Sequence, residues 1–194
     1  MRWAIYILFA LIAVSLDASV GGILRIADGQ PRFLPCVVVF ALLSAPRQYA
    51  VRIAMVAGLL ADLLSPAVRA DGSQLVVIGP WVLGFSLGAL AVVPLRTLLY
   101  HRNPVANGFA TMVFGALAGV VFVAVWTLRG TLLANDDPAW WPGSGAGEVW
   151  RQLQGAFASG LIAIPTIWLL NRTRPLWGFS TAKRVIPGVS REAV

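Results

Sequence analysis

The chain is poor in charge, acids, histidine and cysteine, and each shortage removes a class of function. Charged residues make up 12% of its 194 positions, where a soluble domain carries roughly 25%. One cysteine, Cys36, excludes an internal disulfide framework and any cysteine-based zinc site. Cys36 lies in an apolar run and reads as a small buried hydrophobe. One histidine, His101, sits beside Arg102 without neighbouring acids and cannot build a coordination shell, so no metal is expected. The chain has no Gly-x-Ser-x-Gly, no phosphate-cradling glycine-lysine loop and no close pair of acids within an apolar segment. Asp136 and Asp137 form a doublet next to Pro138, which reads as turn chemistry. The expectation is a protein that is not an enzyme and carries no cofactor.

What the chain has in abundance is apolar residues, 58% of the total, laid out in long blocks with no polar face. That pattern predicts an all-α membrane protein whose helices are buried in a bilayer. Six segments are predicted, at about 3–20, 33–45, 51–64, 75–95, 105–128 and 153–170. The first, fourth, fifth and sixth approach the ~20 residues that cross a ~30 Å hydrocarbon core. The second and third are shorter and are read as full spans extended by flanking arginines, with a re-entrant pair as the alternative. Arg2 followed by an apolar stretch resembles a signal peptide. Asp17 follows that stretch directly, however, and the residues after it make a poor cleavage site, so an uncleaved first helix is expected. No lipidation motif is present.

Charge sets the orientation. With the N-terminus inside, the cytoplasmic parts hold Arg2, Arg47, Arg52, Arg96, Arg102, Arg172, Arg174, Lys183, Arg184 and Arg191, ten of the fifteen basic residues. The outer loops hold Arg25, Arg32, Arg69, Arg129 and Arg151. The positive-inside rule therefore predicts both termini in the cytoplasm. The tail, 172–194, has five basic residues against Glu192, and Arg172, Arg174, Lys183 and Arg184 are expected to meet anionic lipid. The net charge of +7 follows from this topology, and no aromatic-basic groove points to nucleic acid. The outer loop 129–152, with Trp140 and Trp141, reads as a flexible connector or a partner platform.

Two features inside the apolar blocks invite a function. Asp62 stands in Gly58-Leu-Leu-Ala-Asp62-Leu-Leu-Ser65, and Asp17 is similarly placed in the first segment. An acid in lipid costs a few kcal/mol unless it is paired or wetted. Asp17, Asp62 and Arg69 are the candidates for a buried polar or cavity site, with Asp62–Arg69 as a pair across the Pro66 turn; the alternative reading is that each acid is an inert, hydrogen-bonded residue at the interface or at a helix end. The second feature is a set of small-residue stripes: Ala54, Gly58 and Asp62; Gly84 and Gly88; Gly115 and Gly119. Such stripes let helix backbones approach closely, within the bundle or against a partner. Pro80, Pro94 and Pro165 are expected to kink their helices.

These residues together resemble the MreD family of bacterial rod-shape membrane proteins. The resemblance runs over 31–88: Pro31, the apolar run from Val37 to Leu43, a basic break, the Gly58–Ser65 motif, then Gly72, Leu75, Gly79, Gly84 and Gly88. The chain departs from the pattern at Arg32, where an acid or amide is common, and at Ala54, where a glycine is common. The resemblance implies a six-helix bundle similar to the substrate-binding subunits of energy-coupling-factor transporters. It also implies a non-enzymatic scaffold of the bacterial inner membrane, with an MreC-like protein, MreB filaments, RodA and a penicillin-binding protein as partners. On that carry-over, Gly58 and Asp62 shape the third helix face and Asp17 lines an outward cavity. The competing expectation is a substrate-binding subunit of a vitamin-type transporter.

Overall fold

Prolines and one glycine punctuate the helices. The computed structural model describes residues 2–21, 23–25, 28–65, 67–68, 74–96, 103–132 and 145–179. Among these lie six α-helices: α1 Trp3–Ser19, α2 Leu34–Ser44, α3 Ala50–Leu64, α4 Pro80–Leu95, α5 Pro104–Leu132 and α6 Gly145–Arg172. A two-residue antiparallel pair, β1 Ala67–Val68 with β2 Gln74–Leu75, stands between α3 and α4. Pro35 lies in the first turn of α2, and Pro80 and Pro104 open α4 and α5. That is where a missing N–H costs nothing and the fixed φ already suits a helix. Ala45 ends α2 in an extended conformation because it precedes Pro46, whose ring disfavours the helical region for the residue before it.

The fourth predicted segment begins too early. Residues 75–79 are not helical; α4 starts at Pro80, after Gly79 takes φ 137°, a conformation that only glycine adopts readily. Pro80 consequently starts a helix and kinks none, whereas Pro94 and Pro165 lie inside α4 and α6.

Helix α2 is the axis of the bundle. Every residue from Leu34 to Leu43 is buried, and the helix touches all five others. Around it, α3, α4, α5 and α6 pack in sequence as antiparallel neighbours, with α1 against α2 and α3. The inner faces of the surrounding helices are built largely from small residues: Ala10 and Ala13, Ala54, Ala57 and Ala61, Ala89, Ala110 and Ala118, Ala158 and Ala163. Large apolar residues point away from the bundle, among them Leu8, Leu83, Leu90, Phe109, Leu128, Phe157 and Trp168, each more than half exposed. The small residues on these faces, set beside buried large ones such as Tyr6, Phe85 and Phe114, bring backbones together where the surroundings are as apolar as the core.

Among the described residues two helices, α5 and α6, are long and apolar enough to cross a membrane; α1, α2 and α4 are apolar but shorter. At 1.5 Å per residue the eleven residues of α2 rise only about 16 Å. Being enclosed by protein, α2 does not need the length that a lipid-facing helix requires.

The end of the bundle that carries Arg2 is closed by a part of the chain that reads, by charge alone, as tail. A 3-10 helix, Arg174–Trp177, follows α6 and inserts Trp177, which is 0% exposed, among Tyr6, Phe9, Phe40 and Phe179. The Arg2 N–H donates to the Trp177 carbonyl at 3.0 Å. Arg172 lies with its guanidinium 4.1 Å from the Trp168 ring centre. Lys183 and Arg184 lie outside the described residues.

Candidate functional site

The buried acid of α3 accepts three backbone hydrogen bonds, in keeping with the helix-end alternative. Asp62 is 3% exposed. One of its oxygens, Oδ2, accepts from the N–H of Gly79 at 2.8 Å and of Val82 at 3.3 Å, and Oδ1 accepts from Trp81 at 2.9 Å. These are donors that the first turn of α4 cannot satisfy itself, and the anion also faces the positive end of the helix dipole. Removing the carboxylate strands these donors in a buried setting. Asp62→Ala is expected to cost about 2–3 kcal/mol, with Asp62→Asn recovering part of it. Denaturant titration of the purified protein in mild detergent checks this; equal stability of Asp62→Ala and the parent would refute the capping role. Arg69, its expected partner, lies outside the described residues.

Asp17 repeats the device one hairpin earlier. Its Oδ1 accepts from the Phe33 N–H, and its Oδ2 from the Leu34 N–H at 3.3 Å, at the start of α2. Each acid stands eighteen residues before the proline in the first turn of the next helix, Asp17 before Pro35 and Asp62 before Pro80. The other end of α2 receives a cation: Arg96 Nη1 donates to the Ala45 carbonyl at 2.7 Å. The central buried helix is thus held by an anion at its N-terminus and a cation at its C-terminus, the signs its dipole favours.

The glycines of the small-residue stripes mark close approach within the bundle. A Cβ on Gly58 would meet the Val82 Cα at 2.5 Å and the Trp81 carbonyl oxygen at 2.7 Å. On Gly84 it would meet the Ala118 carbonyl oxygen at 2.7 Å, and on Gly88 the Phe114 ring at 3.0 Å. Gly115 and Gly119 face Ala156 and Gln152 of α6.

A polar cavity lies at the other end of the bundle from Trp177, between the α1–α2 connection and the beginning of α6, and neither Asp17 nor Asp62 is among the residues that line it. Its volume is about 440 Å³, and its walls carry Arg25, Gln30, Arg32, Trp150, Arg151 and Gln154. The two walls approach closely at Gly29 and Gly155: a Cβ on Gly155 would meet the Gln30 carbonyl oxygen at 2.9 Å. Ser159 ties them together, accepting from the Arg32 N–H at 2.8 Å while donating to the Gly155 carbonyl at 2.7 Å.

Arg32 is the residue that a motif-based reading undervalues, since it stands where the pattern departs. Its guanidinium carbon lies 4.0 Å from the centre of the Trp81 ring. Burial pushes its pKa down from the ordinary value, opposed by the nearby charge of Asp17, and an arginine in such a place stays protonated. The signal in the sequence was a lone cation between Pro31 and an apolar helix, which is costly to desolvate without a purpose. On the rim, Arg151 is 56% exposed and pairs with Glu148 at 2.6 Å.

The arrangement is that of a helical bundle with two membrane-length helices, internally capped, and a cationic cavity at one end. No protein-family model, curated protein or solved structure matches this chain.

Proposed function

We propose that this chain is a non-enzymatic scaffold of the bacterial cell-wall elongation machinery, of the MreD type, embedded in the inner membrane with both termini in the cytoplasm. The observation that carries the reading is that the Gly58–Ser65 motif acts as one structural unit. Gly58 brings α3 onto the α4 backbone, and Asp62 caps α4. The motif then serves to build a rigid helix pair, as a scaffold requires, and its acid is not left free for chemistry. The many large apolar side chains left exposed on the outer faces of the helices support bilayer burial, because soluble monomers keep exposed apolar patches small. The distribution of arginines supports the orientation. Partners of this reading are an MreC-like protein, MreB filaments, RodA and a penicillin-binding protein, engaged through lipid-facing helix surfaces and the basic end of the bundle.

The cavity favours a second reading, a substrate-binding subunit of a small-molecule transporter, since such subunits need a polar pocket of small-molecule size. A pull-down of the tagged protein from its native membranes in mild detergent, with mass spectrometry of the bound proteins, separates the two. Recovery of an MreC-like protein or wall synthases is the expected result. Recovery of ATPase and transmembrane coupling subunits in their place would overturn the scaffold reading and make this a transporter component.

A further inference from the structure

The geometry points to a binding site for a small anionic ligand, a phosphate or carboxylate group carried beside hydroxyl-type donors, in the cavity between the α1–α2 connection and the start of α6. The inference does not depend on the scaffold reading, because it rests on the cavity alone.

Three observations lead to it. The first is size: about 440 Å³ lies within the range of small-molecule sites. The second is charge. Of the cations on the walls, Arg151 is balanced by Glu148, and Arg25 shares its wall with the exposed Asp28. Arg32 has no ion pair and no hydrogen-bond acceptor for its guanidinium among the described residues. Of the two acids whose charge acts on it, Asp17 is already engaged by the Phe33 and Leu34 N–H groups, and Glu148 is paired with Arg151. Stacking on Trp81 holds the guanidinium plane and leaves its N–H edge for a planar or tetrahedral anion, which arginine recognises through two parallel hydrogen bonds. The third is an acceptor without a donor. Gln154 lines the same cavity, and its Oε1 is buried with no partner among the described residues. A buried acceptor in that condition calls for a ligand hydroxyl or an ordered water. A metal ion fits poorly beside three arginines, and no group of three metal-ligating side chains occurs among the described residues.

The same chemistry is offered by the headgroup of an anionic lipid and by a soluble phosphorylated or carboxylated molecule. The test uses the full-length protein. In detergent, thermal unfolding is followed against glycerol 3-phosphate, with glycerol as the uncharged control. In parallel, the protein is placed in nanodiscs of phosphatidylcholine with increasing phosphatidylglycerol. Expected is a saturable rise in Tm with an anionic probe and none with glycerol. Arg32→Gln should weaken the apparent affinity about tenfold, the value of one lost charge-assisted hydrogen bond, and Gln154→Leu should weaken it as well. Gln154 Oε1 has no partner among the described residues to lose, so its variant keeps the test decisive if Arg32→Gln does not fold. A response to phosphatidylglycerol alone would identify the lipid headgroup as the ligand; a response to glycerol 3-phosphate as well would identify a soluble anion. No saturable shift with either probe, or equal shifts in parent and both variants, would overturn the site.

Discussion

Gly58→Val is expected to prevent assembly of the bundle or to destabilise it by about 3 kcal/mol or more, the upper range for overpacking a tight interface. The atoms in the way are the Val82 Cα and the Trp81 carbonyl oxygen, both main chain, so no rotamer change can relieve the contact. Relief would require α3 and α4 to separate. That would lengthen the hydrogen bonds from Gly79, Trp81 and Val82 to Asp62, which lies one turn further along the same face. Packing and capping are therefore expected to fail together. Gly130→Ala is the control: nothing lies within 4 Å of a Cβ at Gly130, and an added methyl in a helix is neutral or favourable by about 0.5–1 kcal/mol. The fraction of monodisperse protein in mild detergent and its denaturation midpoint check both. A Gly58→Val protein as stable as the parent would show that α3 and α4 do not meet in this register.

Trp177→Ala is expected to cost about 3–5 kcal/mol, the usual range for emptying a buried aromatic position. The Trp177 ring lies 5.0 Å from Phe9, 5.1 Å from Phe40 and 5.6 Å from Phe179, measured between centroids, and its Nε1 donates to Thr173 Oγ1 at 3.1 Å. It therefore joins the chain beyond α6 to α1 and to the central α2. Trp177→Phe should retain most of the stability, whereas deleting 172–194 should lose as much as Trp177→Ala. Were the region only a charged surface strip, as its basic residues alone suggest, neither change would move the denaturation midpoint. That contrast is read from one set of unfolding curves.

Much of the helical layout was legible because apolar blocks between turn residues have few other solutions. The start of α4 was misplaced because 75–79 is as apolar as a helix. Only the Gly79-Pro80 pair, with its positive φ and missing donor, sets the boundary. Asp62 was visible as an anomaly, but its partner was sought among side chains of opposite charge. Backbone N–H groups at the start of the next helix carry no sequence label, so the cap emerges only when α3 and α4 are side by side. Arg32 was hidden for the opposite reason: it looked like an ordinary loop cation until Trp81, distant in sequence, was found beneath it.

The sequence by itself determined the class of protein: helices, apolar on all sides, punctuated by proline and glycine, with an excess of arginine at one end. These follow from local backbone preference and from the cost of desolvating charge, both set by neighbouring residues. Tertiary structure alone decided that the short α2 forms the centre, that Asp17 and Asp62 serve helix ends, that Trp177 belongs to the core, and that Arg32 meets a cavity. Each of those depends on groups far apart in the chain being brought within contact distance. Hydropathy and spacing do not encode that proximity, because the same apolar helices satisfy them in many packing orders.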